Sequence, residues 1–160
     1  MAGTLKVRIQ EDIILNNQDY GSKRILEVGS IGSIVKRIVN IGTDEIGLLG
    51  FGAAYNTELS KTYLAGQFDE DNVRYIRITN LDGTNHIALV LKNENNDEFG
   101  VKVDKGCSFL YCADLSGGVK DTMDSADAAG ITPNSFGDLV DITCAADTDA
   151  CDVEVFVAST

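Results

Sequence analysis

The chain has 160 residues, a mass of 17.1 kDa and 44% apolar residues, which suffice for one sizeable core and exclude a disordered protein. Its net charge is −12, because 25 acidic residues outnumber 13 scattered basic ones. Direct nucleic-acid binding is disfavoured, since it needs clustered bases against phosphate. No segment approaches the ~20 apolar residues of a membrane helix, and the amino terminus lacks a signal-peptide core. We expect a protein made in a cytoplasm, with no membrane partner.

The first part of the chain consists of short apolar segments separated by glycine and polar turns. In TLKVRI, residues 4–9, every second residue is apolar, which is typical of a strand with one buried face. A short apolar run at residues 13–15 ends in the turn-rich NNQDYG. Three further strands are predicted, at residues 25–28, 33–41 and 45–51.

The stretch VRYIRITNLDGTNHIALVLKNENNDEFGVKV, residues 73–103, has the clearest strand pattern. Its alternating segments are separated by NLDG and NENND, whose Asn, Asp and Gly residues favour chain reversal. The residues predicted to face inward are Ile76, Ile78, Ile87, Leu89, Leu91, Phe99, Val101 and Val103. With CSFLYC, residues 107–112, as a fourth strand, the pattern predicts one antiparallel meander.

Two final strands, LVDITC and CDVEVFVAS, are predicted around AADTDA, which has the length of a hairpin loop. Long loops are predicted near 52–70 and 113–135. The count of nine to eleven short strands predicts an all-β protein, an antiparallel β-sandwich of jelly-roll-like type. We expect a single domain over residues 1–160, with residues 1–15 as an edge strand or an arm toward a neighbouring subunit. TLKVRI and VEVFVA are the expected sheet edges.

The four cysteines, at positions 107, 112, 144 and 151, do not match the spacing of structural zinc sites. Reduced thiols are the expected state in a cytoplasm. The alternative is a Cys144–Cys151 disulfide, because a hairpin around AADTDA would set these two residues opposite each other.

No catalytic, cofactor or metal motif is found, so we predict that the chain is not an enzyme and binds no cofactor. His86 is the only histidine, and the sequence around it supplies neither a nucleophile nor an orienting acid. The acidic segments do not match a calcium-binding loop and are better explained as turns. If a cation binds, the first residues to consider are Asp69, Asp71 and Asp97.

Three segments resemble small virion proteins of tailed bacteriophages. They are TLKVRIQEDIILNNQDYGSK (4–23), VRYIRITNLDGTNHIALVLKNENNDEFGVKVDKGCSF (73–109) and DVEVFVAST (152–160). The resemblance lies in the overall pattern and includes no catalytic signature. Residues 42–70, residues 113–135 and the four cysteines have no counterpart in it.

The resemblance implies a structural role in the virion, with the protein made in the host cytoplasm. Within that role we favour a capsid decoration or cement protein, which binds the assembled shell and ties capsomers together. The implied partners are the major capsid protein and copies of the chain itself, with a trimer as the expected oligomer. A neck, tail or fibre-base component is the alternative. A carbohydrate-binding module contacting the host surface is an alternative of another class, which the absence of Trp weakens.

For a cement protein, shell contacts are expected from the amino-terminal segment and from basic side chains facing an acidic shell. The predicted interface residues are Leu5, Val7, Arg8, Ile9, Arg24, Lys36 and Arg37.

Overall fold

A computed structural model describes residues 2–52, 63–113, 115–124 and 136–160. These residues form thirteen strands and no helix, which confirms the all-β prediction; accordingly, no helix among them could cross a membrane. The strands are β1 (Gly3–Glu11), β2 (Ile14–Leu15), β3 (Gln18–Asp19), β4 (Ser22–Ile31), β5 (Ser33–Ile41), β6 (Ile46–Phe51), β7 (Gln67–Phe68), β8 (Val73–Asn80), β9 (Ile87–Asn93), β10 (Glu98–Val103), β11 (Ser108–Cys112), β12 (Leu139–Ala146) and β13 (Cys151–Ser159). The count exceeds the nine to eleven expected because β2, β3 and β7 have only two residues each, too few to show an alternating pattern.

The strands form two larger sheets and two small ribbons. One sheet has the order β10-β9-β12-β6-β7, and the other has the order β11-β8-β13-β5. The ribbons are β1-β4 and β2-β3. All pairs are antiparallel except the short β6–β7 pair, which is parallel. The two larger sheets pack face to face as a β-sandwich.

The core lies between these two sheets and is built from the inward side of each alternating strand. In β13, Val153, Val155 and Val157 are buried while Asp152 and Glu154 point outward. The facing sheet contributes the largest apolar side chains, which include Leu48, Leu49, Ile87, Leu89, Leu139 and Ile142. The predicted inward residues of residues 73–103 are buried in this cluster or packed against it, except Phe99, which is exposed on the edge strand β10.

The predicted four-stranded meander is wrong. Strand β8 lies in the four-stranded sheet and pairs with β11 and β13, whereas β9 lies in the other sheet and pairs with β10 and β12. Of the four strands predicted to form the meander, only β9 and β10 form a hairpin with each other. The NLDG loop and the loop after β10 each carry the chain from one larger sheet to the other. Turn residues such as Asn, Asp and Gly permit this crossing as well as a hairpin within one sheet.

The predicted hairpin around AADTDA is also wrong, because β12 and β13 lie in different sheets. Strand β13 is central, paired with β5 on one side and β8 on the other, so VEVFVA is not a sheet edge. In the described residues, the edges of that sheet are β5 and β11 instead. The segment TLKVRI lies in β1, which among these residues pairs only with β4 and is an edge as predicted. Of the predicted long loops, residues 53–62, 114 and 125–135 lie outside the described residues, and β7 lies within the first.

Candidate functional site

The amino-terminal residues 3–31 form a long β-hairpin, called the arm below. Strand β1 pairs with β4 from Gly3↔Ile31 to Glu11↔Ser22. The short β2–β3 pair continues the hairpin to its tip at residues 12–21. At Gly32 the chain passes directly from the arm into β5, so the arm is an extension of the four-stranded sheet's edge strand.

The tip is held by local hydrogen bonds and by a tight turn. Asn16 and Asn17 both have positive φ angles, 52° and 61°, the combination that a two-residue type I′ hairpin turn requires. The N–H of Tyr20 donates to the carbonyl oxygen of Ile13 at 3.0 Å. The hydroxyl of Ser22 donates to the carboxylate of Glu11. The tip is therefore an ordered hairpin end that the dipeptide Asn-Asn permits.

The base of the arm packs on the outer face of the sandwich. Val28 and Ile31 are buried together with Tyr75 of β8 and Ala158 of β13. This second, smaller apolar cluster also has partly buried side chains packed against it, namely Leu5, Val7, Leu26 and Phe156. The cluster fixes the direction in which the arm leaves the domain.

Beyond its base the arm is surrounded by solvent, since all residues from 8 to 25 are exposed. This segment nevertheless carries six large apolar side chains with exposed fractions of 46–75%. They are Ile9, Ile13, Ile14, Leu15, Tyr20 and Ile25. Isolated two-stranded hairpins are marginally stable in water, and many exposed large apolar side chains on one short segment are typical of a binding surface. The outer arm therefore has the properties of a surface that binds another molecule.

The charge of the arm and β5 is opposite to that of the rest of the chain. Residues 1–41 contain six bases and four acids, a net charge of +2, whereas residues 42–160 contain seven bases and twenty-one acids, a net charge of −14. On the arm, Lys6 and Glu27 form an ion pair of 2.8 Å, and this lysine lowers the pKa of Glu27 by hydrogen bonding and by its charge. The arm itself, residues 3–31, has four bases and four acids, so it is an apolar projection without net charge on a strongly acidic body.

The structure divides the predicted interface residues of the arm between two roles. Leu5 and Val7 are half-buried in the base cluster and hold the arm in place. Ile9 and Arg24 are exposed and lie opposite each other on the same face. Arg8 is exposed on the other face, opposite Ile25.

The two remaining predicted interface residues lie on β5, one on each face of its sheet. The Lys36 side chain is ion-paired with Glu154 at 3.0 Å, and Arg77 pairs with the same carboxylate. The Arg77 guanidinium also lies 5.8 Å from the ring centroid of Phe156. Arg37 is exposed on the opposite face and forms no ion pair within the described part of the chain. Lys36 is therefore already engaged, whereas Arg37 is available to a partner.

The predicted interface residues did not include Ile25 or the apolar residues of the tip, although residues 1–15 were predicted as an edge strand or an arm. The pattern assigns Ile13, Ile14 and Leu15 to a short strand, but nothing in it indicates that the strand lacks a covering sheet. A signal is present in Asn16-Asn17 between apolar residues, which favours a two-residue hairpin turn.

All four cysteines are free thiols, with Cys144 and Cys151 buried in the core. The hairpin that motivated a disulfide between them does not exist. Burial raises the pKa of the Cys144 thiol to about 12, and Cys151 adds to this shift. Both groups are held in their neutral form, which packs as a small apolar side chain.

The other residues considered for chemistry are dispersed. The Nδ1 atom of His86 lies 3.3 Å from a carboxylate oxygen of Asp147 at the surface. Asp71 pairs with Lys120 at 2.9 Å, and Asp97 accepts a hydrogen bond from Asn93 in another turn. Among the described residues no three metal-ligating side chains form a cluster, so Asp69, Asp71 and Asp97 do not form one site.

Comparisons of this chain with protein-family models, with curated proteins and with solved structures gave no significant match. The arm is accordingly the candidate functional site on its geometry alone.

Proposed function

We propose that this protein is a structural component of a tailed-phage virion, a decoration or cement protein that binds the assembled capsid shell through its arm. The observation that carries the proposal is the exposed apolar hairpin of residues 8–25 on an otherwise acidic domain. A rigid body with a projecting adhesive segment suits a protein that ties neighbouring subunits together. Its partners are the major capsid protein and further copies of this chain.

The energetics of the arm support binding to another protein. Burying a large apolar side chain stabilises a complex by roughly 1.5–3 kcal/mol, and the outer arm exposes six such side chains. Unpaired strand edges add main-chain hydrogen bonds when a partner supplies a further strand. Arg8, Arg24 and Arg37 provide positive charge toward an acidic shell surface.

We further infer that the sandwich is a jelly roll. Its eight long strands are β5, β6 and β8–β13. When these strands are numbered from one to eight along the chain, one sheet consists of strands one, eight, three and six in spatial order, and the other consists of strands two, seven, four and five. This order corresponds to two interlocked Greek keys. Jelly rolls are the architecture of many viral capsid domains and of lectins, which supports a particle role and keeps one alternative open.

The copy number of the protein in purified virions tests the proposal. A cement protein occupies the repeated symmetry sites of the shell, so gel densitometry against the major capsid protein should give a fixed, high ratio. A low ratio, comparable to that of neck or tail proteins, would instead support a neck, tail or fibre-base component. Absence of the chain from the particle would refute the virion role.

The second candidate, a carbohydrate-binding module, is favoured by the jelly-roll strand order. A ligand that binds only the folded state raises the melting temperature in proportion to the logarithm of its concentration. A reproducible upward shift with one host glycan would favour this function. An unchanged melting temperature across a panel of host glycans would remove it.

A further inference from the structure

We propose that two copies of this chain associate through the free edge of β4, with the strands antiparallel about a two-fold axis that passes beside Ile25. The arms would then form a four-stranded sheet of order β1-β4-β4-β1. This proposal names a second copy of the chain as the partner of the β4 edge, and it rests on the arm being a binding surface as in the proposed function.

The first argument is that β4 has an unpaired edge. In the described residues β4 pairs only with β1, and residues 22–27 are exposed except for the half-buried Leu26. An exposed edge strand is a template for pairing with a second strand. Ser30, whose φ is 59°, ends the regular part of the strand, because the pairing register with β1 shifts there. The regular free edge therefore covers residues 22–28.

The second argument is that only one register of this edge is self-complementary in charge. In antiparallel pairing about a two-fold axis, the residue on the axis faces its own copy. Registers centred on Lys23, Arg24 or Glu27 place like charges directly opposite each other, which is destabilising. A register centred on Leu26 pairs no charges. The register centred on Ile25 places Lys23 opposite Glu27 of the second copy twice, with the two isoleucines in contact at the centre.

The ion pair within each arm strengthens this register. Glu27 already lies 2.8 Å from Lys6 across the ribbon. In the paired arms each Glu27 carboxylate would sit between Lys6 of its own copy and Lys23 of the second copy. The result is a row of alternating charges across three strands, with Arg8 and Ile25 in the neighbouring row.

The other free edges do not combine opposite charges with an apolar residue on the two-fold axis. On β1, registers centred on Val7 or Arg8 bring basic residues together, and the register centred on Ile9 needs Asp12, which lies beyond the end of the strand. Strand β5 carries Lys36 and Arg37 and no acidic residue, so it cannot pair with itself through opposite charges. Strand β10 places Glu98 opposite Lys102 in the register centred on Gly100, but a glycine on the axis provides no side-chain contact. The edge of β4 is therefore the one that combines cross-strand ion pairs with an apolar contact at the centre.

Charge reversal tests this register sharply. In the dimer of Lys23→Glu, two carboxylates would face each other at both cross-strand positions, and in the dimer of Glu27→Lys two ammonium groups would do so. We expect each variant alone to dimerise about thirtyfold more weakly than the wild type by sedimentation velocity. An equimolar mixture of the two variants should associate again as mixed dimers. In each mixed dimer, the two carboxylates of one chain would face the two ammonium groups of the other. Lys102→Glu, an exposed change on β10, is the matched control and should dimerise like the wild type.

Cysteine cross-linking tests the position of the axis. In a chain whose exposed Cys107 and Cys112 are replaced by Ser, Ile25→Cys should form an intermolecular disulfide on mild oxidation. Arg8→Cys should not, because Arg8 lies beside Ile25 but one strand further from the axis. Cross-linking through Arg8→Cys, or a mixture of the two charge variants that stays monomeric, would overturn the proposal.

The oligomeric state separates this inference from the proposed function. A two-fold dimer in solution differs from the trimer that the phage resemblance implies, and sedimentation distinguishes them. A wild-type chain that is monomeric or trimeric in solution but decorates particles would overturn the arm pairing and leave the cement role intact. A chain that forms the two-fold dimer but is absent from particles would support the arm pairing and overturn the cement role.

Discussion

Removing the apolar side chains of the arm tip should abolish binding while leaving the domain folded. The variant replaces Ile13, Ile14, Leu15 and Tyr20 with Ser. Their exposed fractions are 53–75%, so more than half of each side chain's surface is free to contact a partner. If full burial of each is worth about 2 kcal/mol, the fraction still exposed amounts to about 5 kcal/mol of binding free energy for the four. This is an upper value, because ordering the interface opposes part of it.

Two measurements separate the loss of binding from a loss of folding. Exposed side chains without special contacts alter stability by about 0.5 kcal/mol or less each, so the four changes together should lower the melting temperature by about 8 °C or less. Incorporation into particles, followed by densitometry of virions grown with the variant, should fall below detection. Leu81→Ser, a similarly exposed apolar position on the body, is the control and should be incorporated normally. Full occupancy by the tip variant, or loss of its folded state, would refute the reasoning.

Three further predictions concern the body of the protein. Gly118→Ala should destabilise the fold by about 1–3 kcal/mol or more in chemical denaturation. The φ angle of Gly118 is +70°, and an added Cβ would lie 2.0 Å from the Glu70 carbonyl oxygen. The control is Gly83→Ala, whose Cβ would meet no neighbouring atom and which should leave stability unchanged. Burial, followed by the charge of Asp138, raises the pKa of the Glu70 carboxyl above its usual 4.5. A carboxyl group whose pKa is higher in the folded than in the unfolded state favours folding when the pH is below its unfolded pKa, and this contribution is lost as the pH rises through its folded pKa. Glu70→Gln should therefore raise the melting temperature at pH 7 and should lose that advantage below about pH 4.5. A thiol-reactive dye should titrate the two exposed cysteines in the native protein and all four in denaturant without reductant; only two in denaturant would show a disulfide between the buried pair.

The sequence was most informative where a strand has one buried and one exposed face. Val153, Val155 and Val157 occupy every second position of the predicted strand CDVEVFVAS and are buried, because the period of two in a strand is a local geometric property. The arm was partly predictable for the same reason, since TLKVRI alternates and residues 13–15 precede a turn. The alternation correctly placed Leu5 and Val7 on the packed face.

Strand partners could not be read in this way. The loop between β8 and β9 contains Asn, Asp and Gly, which reverse the chain equally well within one sheet or between two. The terminal strand β13 was expected at an edge but is central, because pairing on its second side depends on β5, more than a hundred residues away. Local patterns do not encode which distant strand supplies the partner.

By itself, the sequence determined that this protein is an all-β, acidic domain built from short antiparallel strands. Only the tertiary structure decided that residues 8–25 stay uncovered, because exposure depends on whether another sheet packs on a strand and not on the strand's own pattern. The sequence alone does not distinguish the apolar side chains of β13 from those at the arm tip around Ile14 as buried or exposed. The former are buried between sheets, and the latter project into solvent, where a partner can bind them.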